Sequence, residues 1–308
     1  MRVAIIGAGM AGLSCGTRLA KAGHEVAVFD KGRGPGGRMA TRRVEHGGET
    51  YRFDHGAQYF TAREMAFQTQ VRAWEADGIV APWPAAKQGA WVGTPAMNAP
   101  IRAMADALGA RFGTRIHALE RIGETWRLAG ADIAESFDAV VVAVPAEQVA
   151  PLLAVHTPHI AEAAQAIDSN PCWTAMIAFD GRVDAPDTLR DEGAIGWAAR
   201  NSSKPGREAD QECWVIQADA RWSRAQLERK ADDVGTELLA HFARAVGDLP
   251  PVLFSTAHRW RYAMCEKNDA GALWDADQRI GACGDWLSGP RVENAFLSGI
   301  ALARRIEG

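Results

Sequence analysis

Residues 2–16 read RVAIIGAGMAGLSCG, and the reading of this stretch decides the fold. The unbroken apolar run Val3-Ala4-Ile5-Ile6 is that of a buried strand, and Gly7-Ala8-Gly9-Met10-Ala11-Gly12 follows it as G-x-G-x-x-G. Residues 11–22 have helical spacing and stop at Gly23, and residues 25–30 form a second strand. In such a strand–turn–helix unit Gly7 permits the tight turn, Gly9 lets a pyrophosphate approach the backbone, and Gly12 allows close helix–strand packing. Met10 and Ala11 open the helix, whose free N–H groups and dipole favour phosphate. Asp30 ends the second strand 18 residues past Gly12, where an acid accepts hydrogen bonds from ribose hydroxyls, and Lys31 stands beside it. The stretch therefore predicts a dinucleotide site without choosing the dinucleotide.

Two further segments choose. Gly32-Arg33-Gly34-Pro35-Gly36-Gly37-Arg38-Met39 occupies the place where an ordinary NAD domain enters its second helix. A glycine-rich loop ending in arginine fits a chain wrapped along an extended dinucleotide, with Gly37 and Arg38 against the pyrophosphate. At the other end, CGDWLSGPRVENAFLSGIALARR (283–305) brings Gly284 and Asp285 off a strand, and a helix opens near Arg291-Val292-Glu293. That second helix N-terminus suits the pyrimidine end of a flavin, where negative charge collects on reduction. Together these segments favour FAD. Beyond the glycine-rich loop no further G-x-G-x-x-G occurs, so the one that the two-domain disulfide reductases carry for NAD(P)H is absent.

The bulk properties narrow the class. A chain of 308 residues, 47% apolar, fits two globular domains. A net charge of -4 gives no footprint for nucleic acid. No apolar run approaches the roughly 20 residues of a membrane span, and the first strand starts where a signal peptide would lie, so the expected location is cytoplasmic. Cys15, Cys172, Cys213, Cys265 and Cys283 form no C-x-x-C, which points to reduced, buried thiols, and no metal-ligand spacing occurs. Eleven tryptophans are many, and eight lie from Trp126 onward; some of them can line a flat apolar site.

Along the chain, residues 31–48 read as loop, 63–77 and 97–108 as helices, and 79–93 as strand-like. Residues 115–128 read as two strands, 137–144 as a buried strand, and 145–153 as a helix. Beyond 155 the pattern changes. Residues 172–179, 194–199, 213–218 and 253–262 read as strands of a mostly antiparallel sheet, and 223–246 as one long helix. The expected fold class is α/β, a Rossmann-type FAD-binding domain (1–62, 97–155 and 271–308) with an inserted, largely antiparallel β-sheet substrate domain (63–96 and 156–270).

FDHGAQYFTAR (53–63), WAARNSSKPGR (197–207), AHRWRYA (257–263) and GDWLSGPRVENAFLSG (284–299) occur together and in order. In this combination the chain resembles the bacterial renalase family, within the amine-oxidase-type flavoprotein superfamily, over nearly its whole length. The resemblance implies non-covalently bound FAD and oxidation of the 2-dihydro and 6-dihydro isomers of NAD(P)H to NAD(P)+. Electrons then pass to O2, giving hydrogen peroxide, in a metabolite-repair role. It also implies FAD contacts from Gly7 to Gly12, at Asp30 and Lys31, Gly37 and Arg38, Gly56, Ala57 and Gln58, Gly284 and Asp285, and at Arg291, Val292 and Glu293.

A dihydropyridine expels hydride with its own nitrogen lone pair, so the reaction needs positioning over the flavin and little acid–base help. Candidates for the reacting slot are Gln58, Tyr59, Trp222, Tyr262 and Trp286; His258 reads as structural. The polar loop from Arg200 to Arg207 is expected to meet the substrate's phosphates, with a raised KM on neutralising Arg200 or Lys204. The expected partners are a dinucleotide and O2, and the chain is a monomer or weak homodimer. A flavin amine oxidase is the alternative enzyme. It often carries a lysine near the flavin, and none of the six lysines (Lys21, Lys31, Lys87, Lys204, Lys230, Lys267) falls in a strand read as flavin-facing. A non-catalytic FAD-binding protein is the alternative of another class.

Overall fold

The computed structural model describes residues 1–308 except 131, 132, 267 and 268; Lys267 therefore lies outside the described residues. A five-stranded sheet has the order Leu273–Asp275, Ile280–Ala282, Ala139–Val142, Arg2–Ile6, Glu25–Phe29, and all but the first are mutually parallel. Its central strand AVVV is wholly buried, as a parallel strand covered on both faces must be. Because Ile6, Phe29, Val142 and Ala282 end these strands on one edge, the loops that follow them converge there.

The helix Met10–Lys21 lies against the terminal helix Val292–Glu307. A Cβ added to Gly299 would come within 2.1 Å of Ala11 O, so only glycine lets the two backbones meet. The Ser14 hydroxyl sits between Ala11 O and Phe296 O. Residues 63–96, assigned above to the substrate domain, share this core: Phe67 and Trp74 of the helix Met65–Ala76 meet Phe296 at a tilt and edge-on.

A second five-stranded sheet is antiparallel throughout, in the order Thr188–Glu192, Ile195–Arg200, Glu212–Ala218, Asn170–Phe179, Val252–Met264. Its outer face, with Trp173, Ile177, Trp214 and Ile216, buries Val234, Leu238 and Phe242 of the helix Ala231–Val246. Its inner face packs Met176, Ala178 and Val215 against Tyr51 and Phe53.

Two local expectations need correction. The region read as loop contains a hairpin, Thr41–His46 with Glu49–Asp54, turning on Gly47 and Gly48 at φ 62° and 85°. The charges in TRRVEH hid a strand that is half exposed. The long helix over 223–246 is two, Ala220–Ala225 and Ala231–Val246. Asp219 caps the first by accepting the Trp222 N–H at 2.9 Å. The Gln226 carbonyl accepts from Trp173 Nε1, and the Leu227 carbonyl from Arg259, so neither serves a continuous helix.

Candidate active site

The glycine turn is built as its spacing predicts. Gly7 has φ 109°, and a Cβ there would stand 2.4 Å from Ala143 O. A Cβ on Gly12 would be 2.0 Å from Gly7 O. A Cβ on Gly9 would meet nothing within 4 Å, and one on Gly37, at φ 51°, would meet only Gly9 Cα at 3.9 Å. Gly9 and Gly37 thus face each other across bare backbone beside the start of the helix that Met10 and Ala11 open. Asp30 ties the two glycine loops together, accepting from Ala8 N at 2.7 Å and Gly32 N at 2.6 Å. Lys31 turns outward, donating to Gln148 Oε1 at 2.7 Å.

Arg38 and Asp285, from opposite ends of the chain, form a two-point ion pair, with Nη1 to Oδ2 at 2.8 Å. Arg38 also donates to Ala263 O at 3.2 Å. Burial opposes its charge, but the Asp285 carboxylate outweighs burial and raises the arginine pKa. Gly284 fits between this pair and Trp286, since a Cβ there would come within 2.6 Å of the indole. The 3-10 turn Asp285–Leu287 sends Trp286 back into the core with Ile6 and Phe29 rather than into an open slot. At the terminal helix, buried Glu293 accepts the N–H groups of Arg63 and Glu64 at 2.6 and 2.7 Å and pairs with Arg291. Arg291 also reaches Thr61 Oγ1, and Val292 packs on the core that holds Phe67 and Phe296. These three residues therefore fasten the helix start to residues 61–64.

Between the two sheets runs the segment His55-Gly56-Ala57-Gln58-Tyr59. A Cβ on Gly56 would be 2.0 Å from Arg38 O, and Ala57 N donates to that carbonyl at 2.8 Å. The antiparallel sheet faces the segment with a cross-strand row, Arg190–Trp197–Gln217–Thr174–His258, each paired in register with the next. Residues directly opposite share a face, so the row presents its side chains together. His258 packs on His55 with ring centroids 5.0 Å apart. Gln217 Nε2 donates to Gly56 O at 2.8 Å, and Trp197 lies 5.5 Å from the Tyr59 ring. Trp260 covers both histidines, 5.0 and 4.5 Å away, and its Nε1 donates to His55 O. Burial, the neighbouring His258 and Arg42 lower the His55 pKa to about 4, and burial lowers that of His258. Tyr262, half-buried two residues past Trp260, shares its face by strand alternation.

Trp222 is elsewhere. It packs beneath the outer face against His241, so it does not join the slot proposed from sequence. The residues missed, Trp197, Gln217, Thr174 and Trp260, sit in recognisable strands, but no local signal shows which positions align across them.

The loop after Trp197 also differs from its expected role. Arg200 is fully buried, bonded to Asp187, Glu212, Val183 O and Ala185 O, and lies over Trp214. Lys204 Nζ is enclosed by Asp54 Oδ2 at 3.3 Å, Gln58 Oε1 at 3.0 Å and Asn201 Oδ1 at 3.2 Å. Burial lowers its pKa to about 8, against the pull of Asp54. Neither cation is open to a substrate phosphate. Gln58 spends its amide on Asp54 O and Gly56 O as well as on Lys204, so its side chain points into this network.

A glycine cradle at the converging strand ends, an arginine–aspartate pair and a second, antiparallel sheet are the parts of a two-domain dinucleotide-binding fold. Residues 5–73 match an NAD(P)-binding Rossmann-like domain, and residues 85–307 match the family described as flavin containing amine oxidoreductase. The chain belongs to that flavin-containing family, and its cofactor is FAD. The bare backbone at Gly9 and Gly37 fits the group, because a pyrophosphate needs the space that a side chain would fill. The structure resembles a candidate protoporphyrinogen oxidase from Exiguobacterium sp. 255-15, with 12% identity, a TM-score of 0.76, and coverage of 99% of this chain and 98% of that one. It also resembles cyclohexylamine oxidase from Brevibacterium oxydans IH-35A, with 12% identity, a TM-score of 0.73 and coverage of 99% and 98%. Among curated sequences, 39 residues are 51% identical to a 4,4'-diapophytoene desaturase of Staphylococcus aureus, spanning 13% of this chain and only 8% of the relative. Among the described residues, no helix is long and apolar enough to cross a membrane.

Proposed function

We propose that the protein oxidises the 2-dihydro and 6-dihydro isomers of NAD(P)H to NAD(P)+, with dioxygen as the final acceptor. The observation that carries this reading is the row Trp197–Gln217–Thr174–His258, which contains planar and neutral side chains and no carboxylate. Non-covalently bound FAD would supply the acceptor for a hydride and pass both electrons to O2. The substrate gives up one hydride, and one proton from solvent completes hydrogen peroxide.

A dihydropyridine needs no base for this step, because its ring nitrogen supplies the driving electrons. It needs a flat surface and a fixed approach. Trp260 with the histidine pair offers such a surface at one end of the row, and Trp197 packed on Tyr59 walls the other. With its pKa lowered to about 4, His55 itself stays uncharged at neutral pH.

The family match supports a second reading, an amine oxidase. Anaerobic mixing separates the two. Rapid flavin bleaching by 6-dihydro-NAD, with none by simple primary or secondary amines, supports the proposal. Bleaching by amines alone overturns it.

A further inference from the structure

We infer that Arg190 and Lys87, carried on the rings of Trp197 and Tyr59, form the subsite for the phosphate-bearing end of the substrate; this rests on the dinucleotide reading above. The row across the antiparallel sheet is half-buried at His258 and exposed at Arg190. The Arg190 guanidinium lies 4.1 Å from the Trp197 ring centroid, and the Lys87 ammonium 5.4 Å from that of Tyr59. Three separate parts of the chain meet here: the segment ending at Tyr59, the loop carrying Ala86 and Lys87, and the hairpin of Arg190 and Trp197.

The two cations are held but not neutralised. Arg190 uses Nη2 alone for its contacts, to Ala86 O at 3.2 Å and the Tyr59 hydroxyl at 3.5 Å. Among the described residues neither Arg190 nor Lys87 is ion-paired. Arg200, on the same hairpin, is by contrast saturated by two carboxylates and two carbonyls. A guanidinium laid on an indole is fixed in orientation while its remaining N–H groups stay free, the arrangement suited to phosphate oxygens. Trp197 Nε1, itself buried, has no hydrogen-bond partner and adds an unclaimed donor to the same corner.

The charge also sorts substrates. A rim of two cations attracts a pyrophosphate and repels the ammonium that an amine substrate carries at neutral pH. Both NAD and NADP isomers carry the pyrophosphate, so the subsite recognises the shared part.

The test is calorimetric titration of the FAD-loaded enzyme with ADP, which has the pyrophosphate and adenosine but no reducible ring. Arg190→Gln and Lys87→Gln are each expected to weaken ADP by about tenfold, and the double variant by more, with a shallower salt dependence. Lys230→Gln, at a distant helix start, should leave ADP binding unchanged, and flavin content should be equal in all variants. ADP binding that is absent from the wild type, or equal in wild type and double variant, overturns the subsite. If ADP binding depends on both cations while 6-dihydro-NAD fails to bleach the flavin, the subsite stands and the proposed reaction falls. If 6-dihydro-NAD bleaches the flavin with the same KM in wild type and double variant, the reaction stands and the subsite falls.

Discussion

Asp54→Asn is expected to be among the most damaging isosteric changes in this chain. The Asp54 carboxylate is fully buried, and its side-chain neighbours Lys204 and Arg207 are 0% and 4% exposed. Arg207 Nη2 lies 2.6 Å from Oδ2, while Thr41 Oγ1 and Met97 N donate to Oδ1 at 2.7 and 3.0 Å. Burial alone would raise the carboxyl pKa, but Lys204 and Arg207 outweigh it and hold it well below the usual carboxylate range. The stabilisation is therefore complete above the ordinary carboxylate pKa and is lost only as pH falls through the lower folded value. At pH 7 the full effect applies.

The asparagine amide leaves no cavity, so the loss is one of charge. Breaking a buried ion pair from one side costs about 3–5 kcal/mol, because the partner stays desolvated and uncompensated. For a chain of this size that corresponds to a Tm lower by on the order of 6–15 °C. Differential scanning fluorimetry of the FAD-loaded protein reads it directly. The charge argument makes a second demand: Lys204→Met, placed on Asp54→Asn, should recover part of the loss, since it removes an orphaned cation. A Tm within 2 °C of wild type for Asp54→Asn, or strict additivity in the double variant, would refute the reasoning.

Further outcomes follow from the same geometry. Gly9→Ala should melt like the wild-type apoprotein and purify with little flavin absorbance, because its methyl enters only the open cradle. Gly12→Ala, whose Cβ would stand 2.0 Å from Gly7 O, should lose both flavin and thermal stability. With the His55 pKa lowered to about 4, the unfolded chain takes up a proton before the folded one as pH drops below its ordinary 6.5. Stability should thus fall by up to about 3 kcal/mol between pH 6.5 and 4, and His55→Gln should flatten that part of the Tm–pH curve. Arg200→Gln should lower Tm by several degrees in urea-free buffer while leaving the KM of any correctly folded fraction unchanged, since the guanidinium serves only buried partners.

The cradle was legible because its determinants are local. Gly7, Gly9 and Gly12 act through φ angles and contacts within one turn and the adjoining strand end, and the apolar run before them forms the same strand in any Rossmann-like setting. Arg38 and Asp285 were each legible as motif residues, although their pairing across 247 positions was not. The hairpin at 41–54 was hidden by charged residues that pattern like a loop. The loop from Arg200 to Arg207 misled for a different reason: a cationic sequence reads as solvated until the fold supplies Asp54, Asp187 and Glu212 to enclose it. Trp222 and Trp197 look alike in sequence, and only the packing of the helix Ala231–Val246 separates the face that holds one from the face that holds the other.

By itself, then, the sequence determined the nucleotide-binding turn and the class of fold around it, because hydrophobic period and glycine geometry are properties of neighbouring residues. The tertiary structure decided the row Arg190–Trp197–Gln217–Thr174–His258. Strand register aligns residues from four distant stretches of chain, and register is set by how whole sheets bury their faces, not by any residue's neighbours in sequence.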